Sequence, residues 1–190
     1  MTDRKTLLIE VLKTRYNSKE ISDFLNYRLN KHDLEFLKTV ITETLRMIPP
    51  DAYNCGNLSA LLGAIIIDNS EIKANIITGH LDYNGKRLFN CKNNIPTNST
   101  DEIWSGHCWI ELAGYILDIS IFRTVYYAEN FPELIKNEII NKYGTGKGSL
   151  MIPVESCEDY GFTYTPCFIL SEQQINGIVS GTKEKYLSKN

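Results

Sequence analysis

Residues 105–119 read SGHCWIELAGYILDI, two short apolar segments on either side of the dipeptide Ala113-Gly114. In each segment, the odd-numbered and the even-numbered positions carry two different sets of side chains. This alternation is typical of a β-strand with two different faces. A two-residue connection is the commonest way to join two antiparallel strands. We therefore predict a hairpin whose strands run from Ile103 to Leu112 and from Tyr115 to Phe122.

The register of this hairpin predicts a pair of polar side chains. If Ala113-Gly114 is a two-residue turn, Trp109 lies opposite Asp118, and His107, Trp109 and Asp118 point to the same side of the sheet. Asp118 is then the diagonal neighbour of His107, at a Cβ separation of about 7 Å that two side chains can close with a hydrogen bond. A three-residue turn would change the parity and remove this pairing.

Cys55 is the candidate nucleophile. It opens a predicted helix from Cys55 to Ile67, for which Asn54 or Asn57 would supply the cap. A helix N-terminus favours the thiolate and lowers the pKa of a thiol there. A histidine oriented by a carboxylate can activate such a thiol, which would give Cys55, His107 and Asp118 complementary roles. The alternative for Cys55 is a small buried apolar residue, which is common for a free cysteine.

The remaining sequence predicts an α+β fold in a single domain of residues 1–190. Residues 1–50 form a helical N-terminal part with three apolar stripes, which Pro49-Pro50 ends because proline cannot donate to a continuing helix. Residues 51–181 form a core in which the Cys55 helix packs on a mainly antiparallel sheet, and residues 182–190 form a polar, frayed tail. In the core we predict strands at 72–80, 87–89, 150–154 and 164–170, an Asn84-Gly85 turn, a loop at 93–100, a helix at 128–143 and a flexible break at 144–148.

Composition limits the classes of function. A net charge of −3 with scattered Lys and Arg argues against a nucleic-acid partner. No apolar run approaches the ~18 residues that span a bilayer, and the N-terminus does not resemble a signal peptide, so we predict a cytoplasmic protein without a membrane partner. Five cysteines without regular spacing fit a reducing compartment better than a disulfide framework.

No cofactor or metal site is predicted. His32, His80 and the other cysteines lack zinc-ligand spacing, and Cys91, Cys157 and Cys167 are interpreted as structural. The glycine-rich segment 143–149 is similar to a phosphate-binding loop, but Gly148 stands where such a loop needs Ser or Thr. We interpret that segment as a flexible loop.

Together these segments resemble the catalytic core of transglutaminase-like proteins. The resemblance rests on the Cys55 helix, on Ile76-Ile77-Thr78-Gly79 at the end of a strand, on residues 106–112 (GHCWIEL) and on Leu117-Asp118, and it covers roughly residues 51–125. That core belongs to the wider papain-like group of thiol enzymes, which includes arylamine N-acetyltransferases. The resemblance implies a thioester on Cys55, with His107 as general base and acid and Asp118 as its orienting partner.

The chain departs from some of these relatives in its oxyanion site. No glutamine precedes Cys55, since the only glutamines are Gln173 and Gln174, so the side-chain donor of papain-type enzymes is missing. The Cys55 backbone N–H is the natural first donor. Asn54, Tyr53 and Trp104 are the candidates for a second donor.

Three functions remain open at this stage. The first is a cysteine-dependent hydrolase or acyltransferase acting on a peptide or glutamine-type amide, as a protease, amidase or transglutaminase. The second is a catalytically silent transglutaminase-like module that binds a peptide or protein partner. The third is a structural or interaction module in which the three residues meet by accident.

Overall fold

The chain is described here from a computed structural model over residues 3–95 and 104–186. Its first part is helical, as predicted: α1 spans Arg4–Lys13, α2 spans Ser18–Asn26 and α3 spans Lys31–Met47. Reciprocal capping boxes begin α2 and α3, formed by Asn17 with Glu20 and by Asn30 with Asp33. The last helix of this part ends just before Pro49-Pro50.

The sheet has six strands that pair in antiparallel fashion. They are β1 Ala74–Tyr83, β2 Lys86–Phe89, β3 His107–Leu112, β4 Tyr115–Asp118, β5 Leu150–Pro153 and β6 Phe162–Ile169. The order β2-β1-β3-β4-β5 describes one path through the sheet, and β6 pairs with β1. Residues 77–79 of β1 pair with both β3 and β6, and residues 81–83 with both β2 and β6. It follows that β2 and β3 lie end to end along the same edge of β1.

Both predicted two-residue turns are confirmed. Ala113 and Gly114 have φ values of 50° and 79°, and Asn84 and Gly85 have φ values of 47° and 74°. Two consecutive left-handed residues define the type I′ turn that matches the twist of a hairpin. The β3–β4 register is the predicted one, with Leu112 opposite Tyr115 and Ile110 opposite Leu117.

Helices cover both faces of the sheet and define two apolar clusters. One cluster contains Trp109 of β3 together with residues of α1, α2, α5 (Ile121–Tyr127) and α6 (Glu133–Tyr143). The other contains Cys108, Ile110 and Leu112 of β3 together with residues of α3, α4 (Cys55–Asn69) and α7 (Glu172–Tyr186). The fold is therefore α+β, with the sheet between two layers of helices.

Three boundaries differ from the prediction by four or five residues. The strand predicted to reach Phe122 ends at Asp118, because the Asp118 carboxylate binds the backbone N–H groups of Ser120 and Ile121 and the chain turns into α5. The helix predicted from Ala128 starts only at Glu133, after Pro132. The strand predicted from Ile103 starts at His107, and Ile103 itself lies outside the described residues, as do residues 96–100 of the predicted loop.

The prediction of a frayed tail from residue 182 was also wrong. Residues 182–186 complete α7, which packs on α4, and Thr182 is buried. Its hydroxyl donates to the carbonyl of Ile178 one turn earlier. Tertiary packing therefore stabilises a helix whose own sequence is polar and contains two glycines; residues 187–190 lie outside the described part.

Candidate active site

His107 and Asp118 form the predicted pair. The Nε2 atom of His107 lies 2.6 Å from Oδ2 of Asp118, and neither side chain has measurable solvent exposure. His107 is the first residue of β3 and Asp118 the last residue of β4, so the two-residue turn between the strands fixes their relation. The predicted contact on one face of the hairpin is confirmed.

The Asp118 carboxylate is saturated with donors. Its Oδ1 atom accepts from the backbone N–H and the hydroxyl of Ser120, both at 2.9 Å, and from the N–H of Ile121 at 3.0 Å. Its Oδ2 atom accepts from the hydroxyl of Tyr164 at 2.8 Å, in addition to its contact with His107. Burial alone would raise the pKa of Asp118, but the His107 charge and these hydrogen bonds outweigh it and lower the pKa.

Aromatic rings enclose His107. The ring centroid of Phe89 lies 4.8 Å from that of His107, and those of Tyr164 and Trp109 lie 6.2 Å and 6.4 Å away. Phe89 reaches this position because it ends β2, which lies end to end with β3. These rings exclude water from the imidazole and strengthen its interaction with Asp118.

Cys55 is held at the end of α4 beside the sheet. Ser59, one turn further along α4, donates its hydroxyl to the Cys108 carbonyl at 2.9 Å. A Cβ atom on Gly63 would lie 2.5 Å from the Ile76 side chain, so this glycine permits close packing of α4 on β1. No side chain caps the N-terminus of α4, which leaves its first-turn N–H groups free of a capping oxygen.

The second ring nitrogen of His107 is not used by Asp118. Nδ1 is buried and has no hydrogen-bond partner within the parts of the chain that the structure covers, while Nε2 is taken by Asp118. Burial alone would lower the pKa of His107, but the charge and hydrogen bond of Asp118 and a contribution from Cys55 raise it to about 10. Cys55 thus contributes to the pKa of His107, while no hydrogen bond joins its sulfur to Nδ1. The arrangement allows an ion pair between a thiolate and an imidazolium.

The three candidates for a second oxyanion donor have different surroundings. The indole N–H of Trp104 donates to the Asn93 carbonyl at 2.8 Å and is therefore occupied. The amide nitrogen of Asn54 donates to the hydroxyl of Tyr186 at 3.2 Å. Tyr53 has a φ of 59° and a 58% exposed side chain, and its backbone N–H donates to Thr124 at 3.3 Å. The Asn54 amide keeps a second N–H, and the Tyr53 hydroxyl forms no hydrogen bond with another described residue, so both Asn54 and Tyr53 retain a side-chain donor next to Cys55.

Burial changes the pKa of three other cysteines. Cys91 and Cys157 are buried, and burial is the main cause that raises their pKa values to about 12 and about 11. Burial also raises the pKa of Cys108, which lies on the opposite face of β3 from His107. These thiols stay protonated at neutral pH.

Two cavities lie away from the three residues. One of about 520 Å³ is lined by residues such as Arg15, Asp23 and Asn75, and one of about 730 Å³ by residues such as Arg4, Arg28 and Tyr115. Neither is lined by Cys55, His107 or Asp118. Cys55 itself is 5% exposed, so the thiol lies in a nearly closed site.

Sequence reasoning missed two neighbours of the site. Tyr164 and Phe89 belong to strands that were predicted, but no local pattern marks an aromatic residue in a strand as the partner of a distant histidine or carboxylate. The described residues contain no cluster of three His, Cys, Asp or Glu side chains placed to hold a metal ion. Within the same ranges, no helix is long and apolar enough to cross a membrane.

Known proteins offer little guidance to this chain. No protein-family model matches it, and neither does any curated protein. A solved structure described as "The crystal structure of genomics APC5867" is similar at 16% sequence identity and a TM-score of 0.39, covering 90% of this chain and 83% of that one.

Proposed function

We propose that this protein is a cysteine-dependent hydrolase or acyltransferase that acts on an amide through Cys55, His107 and Asp118. The observation that carries the proposal is the geometry of His107. One ring nitrogen binds a buried carboxylate, the other is buried without a hydrogen-bond partner among the described residues, and Cys55 contributes to the raised pKa of the ring. A nucleophile, a base and an orienting acid in this order form the arrangement of a thiol enzyme of the transglutaminase-like kind.

The proposed reaction has two halves. The Cys55 thiolate attacks the carbonyl carbon of the amide, and the negative oxygen accepts a hydrogen bond from the Cys55 backbone N–H. The His107 imidazolium gives its proton to the leaving nitrogen, the C–N bond breaks, and an amine departs while a thioester remains on Cys55. Neutral His107 then takes a proton from the acceptor, which is water or an amine, as that acceptor attacks the thioester and releases Cys55.

Asp118 keeps His107 in the orientation that both halves require. Its contact with Nε2 leaves Nδ1 to exchange a proton with sulfur, leaving group and acceptor. The negative charge of Asp118 also stabilises the imidazolium that forms the ion pair with the thiolate. If water is the acceptor of the acyl group, the protein is a protease or amidase. If an amine is the acceptor, the protein is a transglutaminase-like transferase.

A second candidate function is a catalytically silent module that binds a peptide or protein partner. The low exposure of Cys55 favours it, because a thiol that is 5% exposed has little access to a substrate. In such a module the buried His107-Asp118 pair would be a structural remnant of the catalytic fold.

Alkylation of Cys55 separates the two functions. Iodoacetamide labelling at pH 6 to 7, followed by peptide mass spectrometry, is expected to modify Cys55 well ahead of the other four cysteines and faster than glutathione. The reason is that an ordinary thiol, with a pKa of about 8.5, is mostly protonated at this pH. His107→Gln is expected to abolish the advantage, and Cys157→Ser is the matched control that should leave it unchanged.

Equal labelling of Cys55 and glutathione, with no effect of His107→Gln, would contradict the enzymatic proposal and favour the silent module. A positive result leads to a second step, in which p-nitrophenyl acetate is used as an acyl donor. An acetyl group on Cys55 that hydroxylamine removes would identify the thioester directly. Comparing its loss to water with its transfer to an added primary amine would separate hydrolase from transferase.

A further inference from the structure

Tyr164 contacts the carboxylate at the oxygen that faces the histidine. It lies on β6, far from the β3–β4 hairpin in sequence, and is 1% exposed. Its hydroxyl donates to Oδ2 of Asp118 at 2.8 Å, and the same atom lies 2.6 Å from Nε2 of His107. Three side chains from three strands therefore meet at one oxygen atom.

We infer that Tyr164 is a positioning residue that keeps Asp118 ionised and directs its Oδ2 atom toward His107. The role in catalysis rests on the function proposed above, whereas the effect on Asp118 does not depend on it. Tyr164 acts through Asp118, so it is not a catalytic residue in the sense of touching the reacting atoms.

The two oxygens of Asp118 have separate tasks. Oδ1 binds Ser120 and Ile121, its near neighbours in the chain, and these bonds fix the carboxylate to the start of α5. Oδ2 faces His107, and Tyr164 supplies its one further hydrogen bond among the described residues. A buried carboxylate is costly to ionise unless donors surround both oxygens, so the Tyr164 hydroxyl completes the stabilisation on the histidine side.

A phenol suits this position because it remains a donor. Burial first, and the negative charge of Asp118 second, raise the pKa of Tyr164 well above its usual range. The hydroxyl therefore keeps its proton at neutral pH. It donates to Asp118 without taking part in the proton exchange of His107.

The N-terminal helix holds Tyr164 in place. Arg4 of α1 donates from Nε to the Tyr164 carbonyl at 2.7 Å, and its guanidinium pairs with Glu111. Glu111 also accepts from the indole N–H of Trp109 at 3.1 Å, and the Trp109 ring packs edge-on against Tyr164 at 5.1 Å. Through these contacts α1 fixes both the strand and the ring that support the His107-Asp118 pair.

Several titratable groups act on the pair, and Cys55 of α4 is one of them because it contributes to the pKa of His107. Asp118 interacts with His107, Tyr164 and, from the opposite face of β3, Cys108. Tyr164 is further influenced by Cys157 and Tyr143. Of these groups, His107 and Tyr164 form hydrogen bonds with Asp118, so Tyr164→Phe removes one donor and leaves the other contacts intact.

The test measures the pKa of Asp118 by ¹³C NMR titration of its carboxyl carbon in the intact protein. Tyr164→Phe is expected to raise that pKa by about one unit, the effect of losing a hydrogen bond to a charged group. In a plot of the Cys55 alkylation rate against pH, with iodoacetamide as the reagent, the acidic side of the curve should move to higher pH by a similar amount. Tyr83→Phe is the matched control, because Tyr83 is buried in the same apolar cluster and does not contact Asp118.

The outcomes separate this inference from the proposed function. An unchanged Asp118 pKa in Tyr164→Phe, or an equal rise in Tyr83→Phe, would overturn the positioning role. A raised pKa in a protein whose Cys55 reacts like a free thiol would support the role of Tyr164 and refute the enzyme. If Tyr164→Phe does not fold, Tyr164 can instead be replaced by 3-fluorotyrosine, which keeps the ring and is a stronger hydrogen-bond donor. This replacement should lower the pKa of Asp118, and an unchanged pKa would overturn the positioning role.

Discussion

The 2.6 Å contact between Nε2 of His107 and Oδ2 of Asp118 is set by a type I′ turn of two residues, Ala113 and Gly114. The turn fixes which residues of β3 and β4 share a face, and the first residue of one strand meets the last residue of the other. Burial then makes the contact strong, because water does not compete for either partner. The chemistry of the site thus depends on local backbone geometry.

Asp118→Asn tests that dependence. The substitution keeps the size of the side chain but removes the charge that holds His107 protonated, so burial will lower the pKa of His107. We expect the rate of Cys55 alkylation at pH 6.5 to fall by up to about 10²-fold, because an ordinary thiol with a pKa of about 8.5 is only about 1% ionised at this pH. Measurement is by timed iodoacetamide labelling and mass spectrometry.

Asp159→Asn serves as the control for charge alone. Asp159 is exposed and remote from His107 in the chain, and the change removes the same charge. The rate of Cys55 labelling in Asp159→Asn should match the rate in the unmodified protein. If Asp118→Asn also reacts at that rate, the carboxylate does not support the thiolate.

Stability should depend on pH in a window set by His107. Its pKa is raised from an ordinary value of 6.5 to about 10 in the folded protein. The folded state binds this proton more tightly, so the stabilisation is fully present below pH 6.5 and is lost as the pH rises through 10. Urea unfolding at a series of pH values should show a decline across this window that is smaller in His107→Gln. Parallel curves for the two proteins would contradict the raised pKa.

Part of the site is local in sequence, and that part could be predicted. Ala113-Gly114, flanked by alternating residues, specifies a turn and a register, and the register places His107 beside Asp118. Cys55 at a helix start is another local signal, because the change from Pro49-Pro50 to an apolar helix is visible in the sequence. These features need no knowledge of tertiary packing.

Other parts depend on contacts between distant segments. Tyr164 donates to a carboxylate 46 residues earlier, and nothing in the pattern of β6 distinguishes it from a core aromatic. The run Ile119–Phe122 is apolar enough to continue a strand, but the Asp118 carboxylate binds the next N–H groups and starts α5 instead. Helix α7 is polar in sequence and depends on packing against α4.

Gly79 is expected to be required for the close approach of three strands. It pairs with His107 on β3, and a Cβ atom there would lie 2.0 Å from the Thr165 carbonyl oxygen on β6 and 2.7 Å from the Trp109 ring. We expect Gly79→Ala to lower the free energy of unfolding by about 3 kcal/mol, because backbone and a packed ring must both move. Urea unfolding at pH 7 measures this change.

Gly181→Ala is the matched control for the same chemical change. A Cβ atom on Gly181 meets nothing within 4 Å, and the residue lies inside α7. Alanine is a better helix former than glycine, so this variant should be more stable by about 0.5–1 kcal/mol. A similar loss in both variants would mean that the strands around Gly79 are not tightly packed.

Arg123 on α5 is expected to stabilise the end of α3. Arg123 is 8% exposed, and its guanidinium donates to the carbonyl of Leu45 in the last turn of that helix and to the carbonyls of Ile48 and Pro49 just beyond it. Helix ends carry unpaired carbonyls and a partial negative charge, both of which this cation satisfies. Arg123→Met should keep much of the apolar packing but leave the buried Ile48 carbonyl without this donor and remove the part-buried bonds to Leu45 and Pro49, so we expect a loss of about 1–3 kcal/mol in urea unfolding. Arg28→Met removes an exposed arginine that also binds helix-end carbonyls, and water can replace it there, so its effect should stay below about 0.5 kcal/mol. Equal effects of the two substitutions would show that burial of Arg123 adds nothing to the stability of this helix end.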